Sequence, residues 1–387
     1  MATTLFLQSE VDDPYKIYET MLAEHPVYWD DTNQLWAIYS YEGCITILNN
    51  SCALIPAIDH NSQAGLNEHA LLLLGQFARF SNGYQHDVAR LAGMLLFEKM
   101  STISINDMAD ELLPGTDQSK IDWVDTICNK LPVSVILRSF EFNKADGDFI
   151  SDNIEHLVKI TSPVKTPEQV KTINELSKQV YDITEKHLSG TGIYQPIIDL
   201  LYEKYQLKAD QALSLCVSNL VGLFIQSYDA SRGLLSNSML QILINNDPSL
   251  VNFANKEFLK KSVTETLRFD PPVHNTRRIA VDDIVLGDNL ITKGSAIFLI
   301  LAAANGDPQK FHNPGTYNIE RSNNMAHLTF GSGGHACLAK HFSTGLAIET
   351  LSWLFEKYKN ISLLDQDIAY EPMVNIRMPK SMLIAVS

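Results

Sequence analysis

One cysteine in this chain lies in a setting suited to metal or redox chemistry. Cys337 ends a glycine-rich segment, FGSGGHAC, in which Gly331, Gly333 and Gly334 permit tight or left-handed turns. The pattern predicts a helix from about Leu338 to Lys357. A sulfur at a helix N-terminus faces unpaired amide groups and the positive end of the helix dipole. The segment is therefore predicted to present a thiolate.

Two other interpretations of this cysteine stay open on these residues alone. A cysteine in a glycine-rich turn is most often an ordinary buried thiol. A zinc site built on His335 and Cys337 is the second alternative. It needs two more ligands, and the neighbouring sequence suggests none.

The elements that must position this segment are mostly helices. Between about Leu66 and Asn246 apolar residues recur with a helical period, and the centre of residues 210–246 is apolar almost all round. A short helix and a hairpin are predicted before this region. After Pro271 short strands are predicted, and the stretch from Ile368 onwards is predicted to form strands again. We expect a mainly α fold with minor β-sheets, and one domain over residues 1–387 because no linker interrupts the chain.

Composition and charge narrow the class of protein. With 45% hydrophobic and 19% charged residues, the chain can bury a large core. A formal net charge of -15 argues against a nucleic-acid partner, which requires a basic surface. The five cysteines are dispersed, as in proteins of a reducing compartment. No signal peptide or membrane span is recognisable. We therefore expect a cytoplasmic protein with no nucleic-acid or membrane partner.

The segment that ends at Cys337 resembles the haem-binding signature of the cytochrome P450 family, Phe-Gly-x-Gly-x-His-x-Cys. The resemblance implies a cytochrome P450 fold, haem b as the cofactor and Cys337 as the ligand of the iron, where a thiolate favours O–O cleavage. It also implies haem contacts from Phe330, Gly331, His335 and Ala339. The family usually has glycine at the last of these positions, so alanine adds one methyl group close to the haem.

Two charged residues on a predicted helix add to this resemblance. Glu265 and Arg268 are three residues apart, a spacing that usually marks a surface ion pair worth a few tenths of a kcal/mol. They resemble the family's Glu-x-x-Arg pair, which joins a later arginine, here Arg321, in a buried network behind the cysteine loop. Loss of either helix residue should strand a buried charge. The implied role is structural.

Haem also brings two carboxylates into a protein, and cations or hydrogen-bond donors must meet them. His86 and Arg90 share one helix face, because they are four residues apart, and they match the family's His-x-x-x-Arg. Arg278 matches the arginine that follows the Pro-Pro turn, and His335 completes the set. The sequence leaves open whether Arg277 takes the place of Arg278.

The segment that resembles the family's distal helix departs from the usual pattern. Aligning the family's acid on Asp229 places Ala230 at the usual threonine and Gln226 at a usually small residue. In the family the acid and the hydroxyl deliver protons during oxygen activation. Ser231 lies about 100° further round the helix and cannot simply replace the threonine. The predicted catalytic residues are Asp229, as the proton-relay acid, Ser231 and Gln226.

The resemblance implies an oxidoreductase, a haem-thiolate monooxygenase that oxidises a small organic substrate with dioxygen. A separate ferredoxin and ferredoxin reductase would supply electrons, because 387 residues leave no room for a fused redox domain. Ala230 keeps open a peroxide-driven or non-hydroxylating haem-thiolate enzyme. A non-catalytic haem-binding or recruitment homologue is the alternative of another class, and the presence of Cys337 and Asp229 argues against it.

Overall fold

A computed structural model describes residues 4–58, 61–113, 119–190, 192–246, 252–365 and 367–387. These residues form two compact units. The first takes its described residues from Met1–Leu54, Ile105–Leu131 and Asp229–Ser387, and the second from Ile55–Ser104 and Pro132–Tyr228. Every strand in the described part of the chain belongs to the first unit, whereas the second is helical. The single-domain organisation expected from the sequence stays a prediction.

Helices make up most of the described chain. They are α1 (Pro14–Glu24), α2 (Tyr41–Leu48), α3 (Glu68–Gln76), α4 (Gly83–Phe97), α5 (Ile105–Leu112), α6 (Leu131–Ser139), α7 (Lys144–Leu157), α8 (Pro167–Gly190), α9 (Gln195–Tyr205), α10 (Ala209–Asn245), α11 (Lys256–Phe269), α12 (Leu301–Ala304) and α13 (Lys340–Lys357). None of the described helices combines the length and the apolar composition that a bilayer crossing requires.

The strands are short. They are β1 (Val27–Asp30), β2 (Leu35–Ile38), β3 (Ala53–Leu54), β4 (Lys120–Asp122), β5 (Thr276–Ala280), β6 (Ile284–Leu286), β7 (Asn289–Ile291), β8 (Ala296–Leu299), β9 (Ile361–Leu363) and β10 (Leu383–Val386). The largest sheet has the order β1-β2-β8-β5-β3, with β2 parallel to β8 and the other pairs antiparallel. A second sheet has the order β4-β10-β9, and β6 pairs with β7.

The largest sheet is buried on both faces, because the side chains of its central strands point alternately to one face and the other. On β2 and β8, Ala37 and Phe298 pack in the cluster that contains Tyr18 of α1. Ile38 and Leu299, the next residue on each strand, pack on the opposite side in the cluster that contains α2. Successive side chains of a strand point to opposite faces, so these two strands hold α1 and α2 on either side of one sheet.

The long apolar segment forms the uninterrupted helix α10, which agrees with the prediction for residues 210–246. Every residue from Ser231 to Ile242 is buried, as expected for a helix without a polar face. In the middle of the helix, just before that stretch, the half-exposed positions are Leu223, Gln226, Ser227, Asp229 and Ala230. Apart from its two ends, this is the part of the helix whose side chains are accessible.

The predicted mainly α fold with minor sheets is confirmed, including the hairpin of β1 and β2 and the strands β5 to β8. The prediction of strands from Ile368 onwards is largely wrong. Only β10 forms there, together with two isolated bridges. Pro372 and Pro379 lack the amide hydrogen that a ladder needs, which explains the loss of regular pairing. Helix α13 begins at Lys340 and not at Leu338, because a turn precedes it.

Candidate active site

The loop that carries Cys337 is closed by its own backbone. The amide of Cys337 donates to the carbonyl of Phe330 at 2.8 Å, and the amide of Gly331 donates to the carbonyl of Leu328 at 2.7 Å. A short 3-10 turn, Gly333–His335, lies between them, and α13 begins three residues after the cysteine. Gly331 has a φ of +69°, a left-handed conformation that favours glycine. The hydrogen bonds and the turn hold the sulfur just before a helix N-terminus.

Gly333 lets this loop approach the end of α2. Its φ is +68°, and a Cβ added there would lie 2.9 Å from both the carbonyl oxygen of Leu48 and Oδ1 of Asn49. The Asn49 side chain donates from Nδ2 to Ser332 Oγ at 3.2 Å. Neither backbone nor side chain leaves room for a larger residue, so the glycine is required by the packing of the loop.

Cys337 differs from the other cysteines in its exposure. None of the five, all of them described residues, is joined in a disulfide, and Cys337 is the exposed one. Cys44, Cys128 and Cys216 are buried, and burial raises the pKa of each thiol, to about 12 for Cys216. A buried thiol of this kind is inert, whereas an exposed thiol near a helix N-terminus can ionise and bind a metal. Of the five cysteines, Cys337 is therefore the most accessible for ligation.

A buried charge network supports the loop. Arg268 donates from Nε and Nη2 to Oε1 of Glu265 at 3.0 and 2.6 Å, and Arg321 donates from Nε to the same oxygen at 3.2 Å. Glu265 and Arg268 are almost completely buried. Arg321 also donates from Nη1 to the carbonyl of His312 and from Nη2 to the carbonyls of Asn313 and Thr316. The predicted network of Glu265, Arg268 and Arg321 is confirmed.

Asn305, which the sequence analysis missed, connects this network to the cysteine loop. Its carbonyl accepts from Nη1 of Arg268 at 3.0 Å, and its Oδ1 accepts from the amide of Leu328 at 2.7 Å. Its Nδ2 donates to Thr329 Oγ1 at 2.9 Å, and that hydroxyl donates to the carbonyl of Leu267. One amide side chain thus ties the end of α11 to the residues that begin the loop. No local sequence signal marks this residue.

Arg278, and not its neighbour, is the buried arginine of β5. Strand alternation exposes Arg277 and buries Arg278, which pairs across the sheet with Ile297. Arg278 donates to Thr276 Oγ1 at 3.3 Å and to the carbonyl of Arg277 at 2.7 Å, and no carboxylate of the described residues pairs with it. Burial lowers its pKa to about 10. A buried guanidinium without a carboxylate partner fits a ligand that supplies carboxylates, as haem does.

The other predicted cofactor contacts lie in two places. His335 ends the 3-10 turn of the cysteine loop and Ala339 is the N-cap of α13, both in the first unit. His86 and Arg90 lie on α4 in the second unit, where the buried His86 donates from Nδ1 to the carbonyl of Ala78 at 2.9 Å. Their roles towards a haem stay predictions.

On α10, Asp229 has a charged partner that the sequence analysis missed. Arg232 donates from Nη1 to Oδ1 of Asp229 at 3.2 Å and from Nη2 to Oε1 of Glu371 at 3.4 Å. The Asp-x-x-Arg spacing could have identified the first contact, because residues three apart are neighbours on a helix. Nothing in the sequence points to Glu371. One buried guanidinium therefore lies between two carboxylates.

Two of the predicted catalytic residues on α10, Gln226 and Ser231, differ in their exposure. Gln226 is half-exposed and donates from Nε2 to the carbonyl of Gly222 at 2.9 Å. Ala230, one helical turn further, is also half-exposed, whereas Ser231 is buried. This placement favours Gln226 over Ser231 as the polar group near the alanine.

Among the described residues, no group of three or more His, Cys, Asp or Glu could hold a metal ion, so the zinc alternative gains no further ligands. A thiol at the end of a glycine-rich loop, joined through Asn305 to a buried three-residue charge network, fits the haem-thiolate site that the resemblance implies.

Comparisons with known proteins agree. Residues 235–372 match the family model described as cytochrome P450. The chain is 25% identical over 379 residues to the biotin biosynthesis cytochrome P450 of Bacillus subtilis, with 94% of each chain covered. It is also 25% identical over 401 residues to the pulcherriminic acid synthase of the same organism, covering 97% of this chain and 95% of the relative. These similarities support a bacterial-type cytochrome P450, a class of monooxygenases that use haem b.

Solved structures show the same fold. CalO2 superposes with a TM-score of 0.86, at 19% identity, and covers 100% of this chain and 99% of its own. P450BioI, solved in complex with acyl carrier protein ligated to hexadec-9Z-enoic acid, superposes with a TM-score of 0.82, at 21% identity, and covers 97% of this chain and 99% of its own. The predicted cytochrome P450 fold is thereby confirmed.

Proposed function

We propose that this protein is a haem-thiolate monooxygenase that oxidises a small organic substrate, with Cys337 as the iron ligand. The observation that carries the proposal is the exposed thiol of Cys337, in a loop tied through Asn305 to the buried pair of Glu265 and Arg268. When bound, the haem iron activates dioxygen, and thiolate ligation favours cleavage of the O–O bond. The protein's part is to hold the cofactor, orient the substrate and supply protons.

The donor set for the cofactor follows from charge and position. Arg278 is the buried cation suited to a propionate, and His335 lies in the cysteine loop itself. His86 and Arg90 complete the set by resemblance. Phe330, Gly331 and Ala339 belong to the same loop and, by the same resemblance, line the cofactor.

On α10 we assign proton transfer to Asp229 and a supporting role to Gln226. The Nε2 of Gln226 donates to the carbonyl of Gly222. The Oε1 of the same side chain is then the acceptor on the helix turn that precedes Ala230. This oxygen would hold the water, or a substrate hydroxyl, that takes the place of the missing threonine. The role of Ser231 is the least supported, because that side chain is buried.

Electrons would come from a separate ferredoxin and its reductase. Lys340 and His341 start α13 next to Cys337, and they give an acidic redox protein a basic contact despite the net charge of -15. Five cysteines without a disulfide fit a reducing compartment such as the cytoplasm. The small organic substrate stays undefined beyond its class.

The ferrous carbonyl complex tests this proposal. We expect the red-shifted Soret band of thiolate ligation in the wild type and its loss in Cys337→Ala. Cys52→Ala is the matched control, since this half-buried cysteine lies in the same unit and should leave the band unchanged. A purified protein without haem, or a Cys337→Ala variant that retains the band, would refute the assignment.

A second candidate is a peroxide-driven or non-hydroxylating enzyme of the same family, and the presence of Ala230 favours it. Peroxide supplies both oxygen atoms and the electrons, so it depends less on proton delivery by a threonine hydroxyl. Turnover with hydrogen peroxide alone, compared with turnover using ferredoxin, reductase and NAD(P)H, separates the two. Peroxide rates that exceed the reductive rates would replace the first candidate by the second.

A further inference from the structure

The side chain of Asn305 is fully buried, and each of its polar atoms has a partner. Its Oδ1 accepts from the amide of Leu328 at 2.7 Å. Its Nδ2 donates to Thr329 Oγ1 at 2.9 Å and to the carbonyl of Leu267 at 3.3 Å. A primary amide has one acceptor oxygen and two donor hydrogens, so this side chain is satisfied in a single orientation.

The backbone of Asn305 is held by contacts of its own. The residue is the C-cap of α12, which follows β8 after one residue and is buried along its whole length. The amide of Asn305 donates to the carbonyl of Leu301 at 2.9 Å, and its carbonyl accepts from Nη1 of Arg268 at 3.0 Å. The side chain is therefore presented from a fixed position at the end of the central sheet.

The contacts of this side chain lie where the cysteine loop starts. Leu328, whose amide donates to Asn305, has a carbonyl that accepts from the amide of Gly331 at 2.7 Å. Two residues further on than Leu328, the carbonyl of Phe330 accepts from the amide of Cys337 at 2.8 Å. One buried amide thus fixes the first residue of the backbone hydrogen bonds that close the loop.

We infer that Asn305 is a positioning residue for the iron ligand, and that without its side chain the sulfur of Cys337 leaves the iron while the chain stays folded. This inference rests on the proposed function, in which Cys337 binds the iron. Groups that orient a metal ligand from behind control how firmly it binds. A buried network that loses one member leaves its other members unsatisfied, so the start of the loop would shift to find new partners.

Asn305→Ala tests the inference in the haem-loaded protein. The substitution removes three side-chain hydrogen bonds and keeps the main-chain carbonyl that accepts from Arg268. We expect the red-shifted Soret band of the ferrous carbonyl complex to decay at least tenfold faster than in the wild type, at a temperature well below unfolding. Circular dichroism of the same samples should stay constant during the decay. The carbonyl spectrum of Cys337→Ala defines the end point.

Asn237→Ala is the matched control for loss of a buried amide. Asn237 is also fully buried in the first unit, and its Nδ2 donates to the carbonyls of Asp270 and Arg377 at 3.0 and 3.1 Å. It joins separate segments, but neither contact lies in the cysteine loop. We expect a lower denaturant midpoint and an unchanged lifetime of the red-shifted band. If the two alanine variants shortened that lifetime equally, Asn305 would serve stability alone and the inference would be overturned.

A milder pair of variants covers the case in which Asn305→Ala does not fold. Thr329→Val keeps the shape of the side chain but removes the hydroxyl that accepts from Asn305 and donates to the carbonyl of Leu267. Thr329→Ser keeps that hydroxyl. We expect the valine variant to shorten the lifetime of the band several fold and the serine variant to match the wild type. Equal lifetimes in the two would contradict the inference.

Failure of the inference and failure of the proposed function give different results. A wild type that lacks the red-shifted band defeats the proposed function, and the inference with it. A wild type that shows the band, together with Asn305→Ala and Thr329→Val variants that keep its full lifetime, defeats the inference alone.

Discussion

Two charge clusters in the first unit have opposite compositions. Behind the cysteine loop, one carboxylate, Glu265, is shared by two arginines. On α10, one arginine, Arg232, is shared by two carboxylates. The first cluster is closed by backbone carbonyls, and its Glu265 side chain is fully buried. The second retains exposed fractions of 15% and 24% at its acids.

This difference suggests a division of labour. A fully buried and extensively hydrogen-bonded network fixes geometry. A cluster whose carboxylates are partly exposed can exchange protons with water. The cysteine loop needs the first property in order to hold an iron ligand, and proton delivery needs the second. The predictions below test this contrast from the largest expected effect to the smallest.

The largest effect is expected at Glu265. Among the described residues, Glu265 is the carboxylate that pairs with Arg268 and Arg321, so Glu265→Gln removes that counter-ion from two buried guanidinium groups. We expect a loss of about 3–5 kcal/mol in the free energy of unfolding, together with loss of haem. Urea titration and the haem content measure both. The control is Glu320→Gln, which breaks an exposed ion pair with Lys261. Equal effects of the two substitutions would contradict the structural role of Glu265.

Two buried histidines of the first unit predict a pH dependence. Burial, then the charges of Lys340 and Arg268, lower the pKa of His327 to about 3, and burial, then Arg377, lowers the pKa of His274 well below its usual value. Both are neutral in the folded protein and protonate on unfolding in acid. Stability should therefore fall as the pH drops below the ordinary histidine pKa, and by pH 5 His327 alone lowers the free energy of unfolding by about 2 kcal/mol.

Urea unfolding at pH 7.5 and pH 5 measures this loss. His327→Asn should remove that histidine's share of the loss. If stability were flat over this range, the two histidines would not be neutral and buried in the folded state.

Adjacent glycines of the cysteine loop offer a sharper test of its rigidity. Gly333→Ala forces a side chain into a left-handed backbone and to within 2.9 Å of the carbonyl oxygen of Leu48. We expect a loss of roughly 1–3 kcal/mol in the free energy of unfolding and a broadened carbonyl band. Gly334→Ala is the matched control, because an added Cβ there meets nothing within 4 Å. If both variants behaved alike, contact with α2 would not define the loop.

The contrast also explains how much the sequence could predict. The charge network behind Cys337 was predictable, since Glu265 and Arg268 share one helix and Arg321 follows by resemblance. Only half of the second cluster could be predicted from the sequence. Asp229 and Arg232 are helix neighbours, but Glu371 lies 139 residues further along the chain.

Other features depend on tertiary register. The choice between Arg277 and Arg278 follows from the pairing of β5 with β8, which no single strand reveals. The link through Asn305 has no local signature, because its amide joins three separate segments. The C-terminal strands were overpredicted because Pro372 and Pro379 interrupt an otherwise apolar stretch. Local sequence patterns thus predicted most helices and strands, whereas contacts between distant parts of the chain determine which side chains meet.

The smallest effect is expected at Ala230, where the family's threonine is missing. Ala230→Thr should raise the fraction of NAD(P)H that ends in product by a few fold at most, because the new hydroxyl has a competing acceptor. Two nearby hydroxyls of α10 donate to their own helix, Ser227 to the carbonyl of Phe224 and Ser236 to that of Arg232. A threonine at 230 would do the same with the carbonyl of Gln226.

Gln226→Ala tests the same idea by removing a polar group, whereas Ala230→Thr adds one. If the Oε1 of Gln226 already holds the water that replaces the hydroxyl, Gln226→Ala should lower the coupled fraction and Ala230→Thr should then restore it. Restoration only in that background would show that the amide and the threonine do the same work. An Ala230→Thr variant that improves coupling strongly in the wild-type background would instead show that Gln226 does not compensate, and that proton delivery is limited on α10 as it stands.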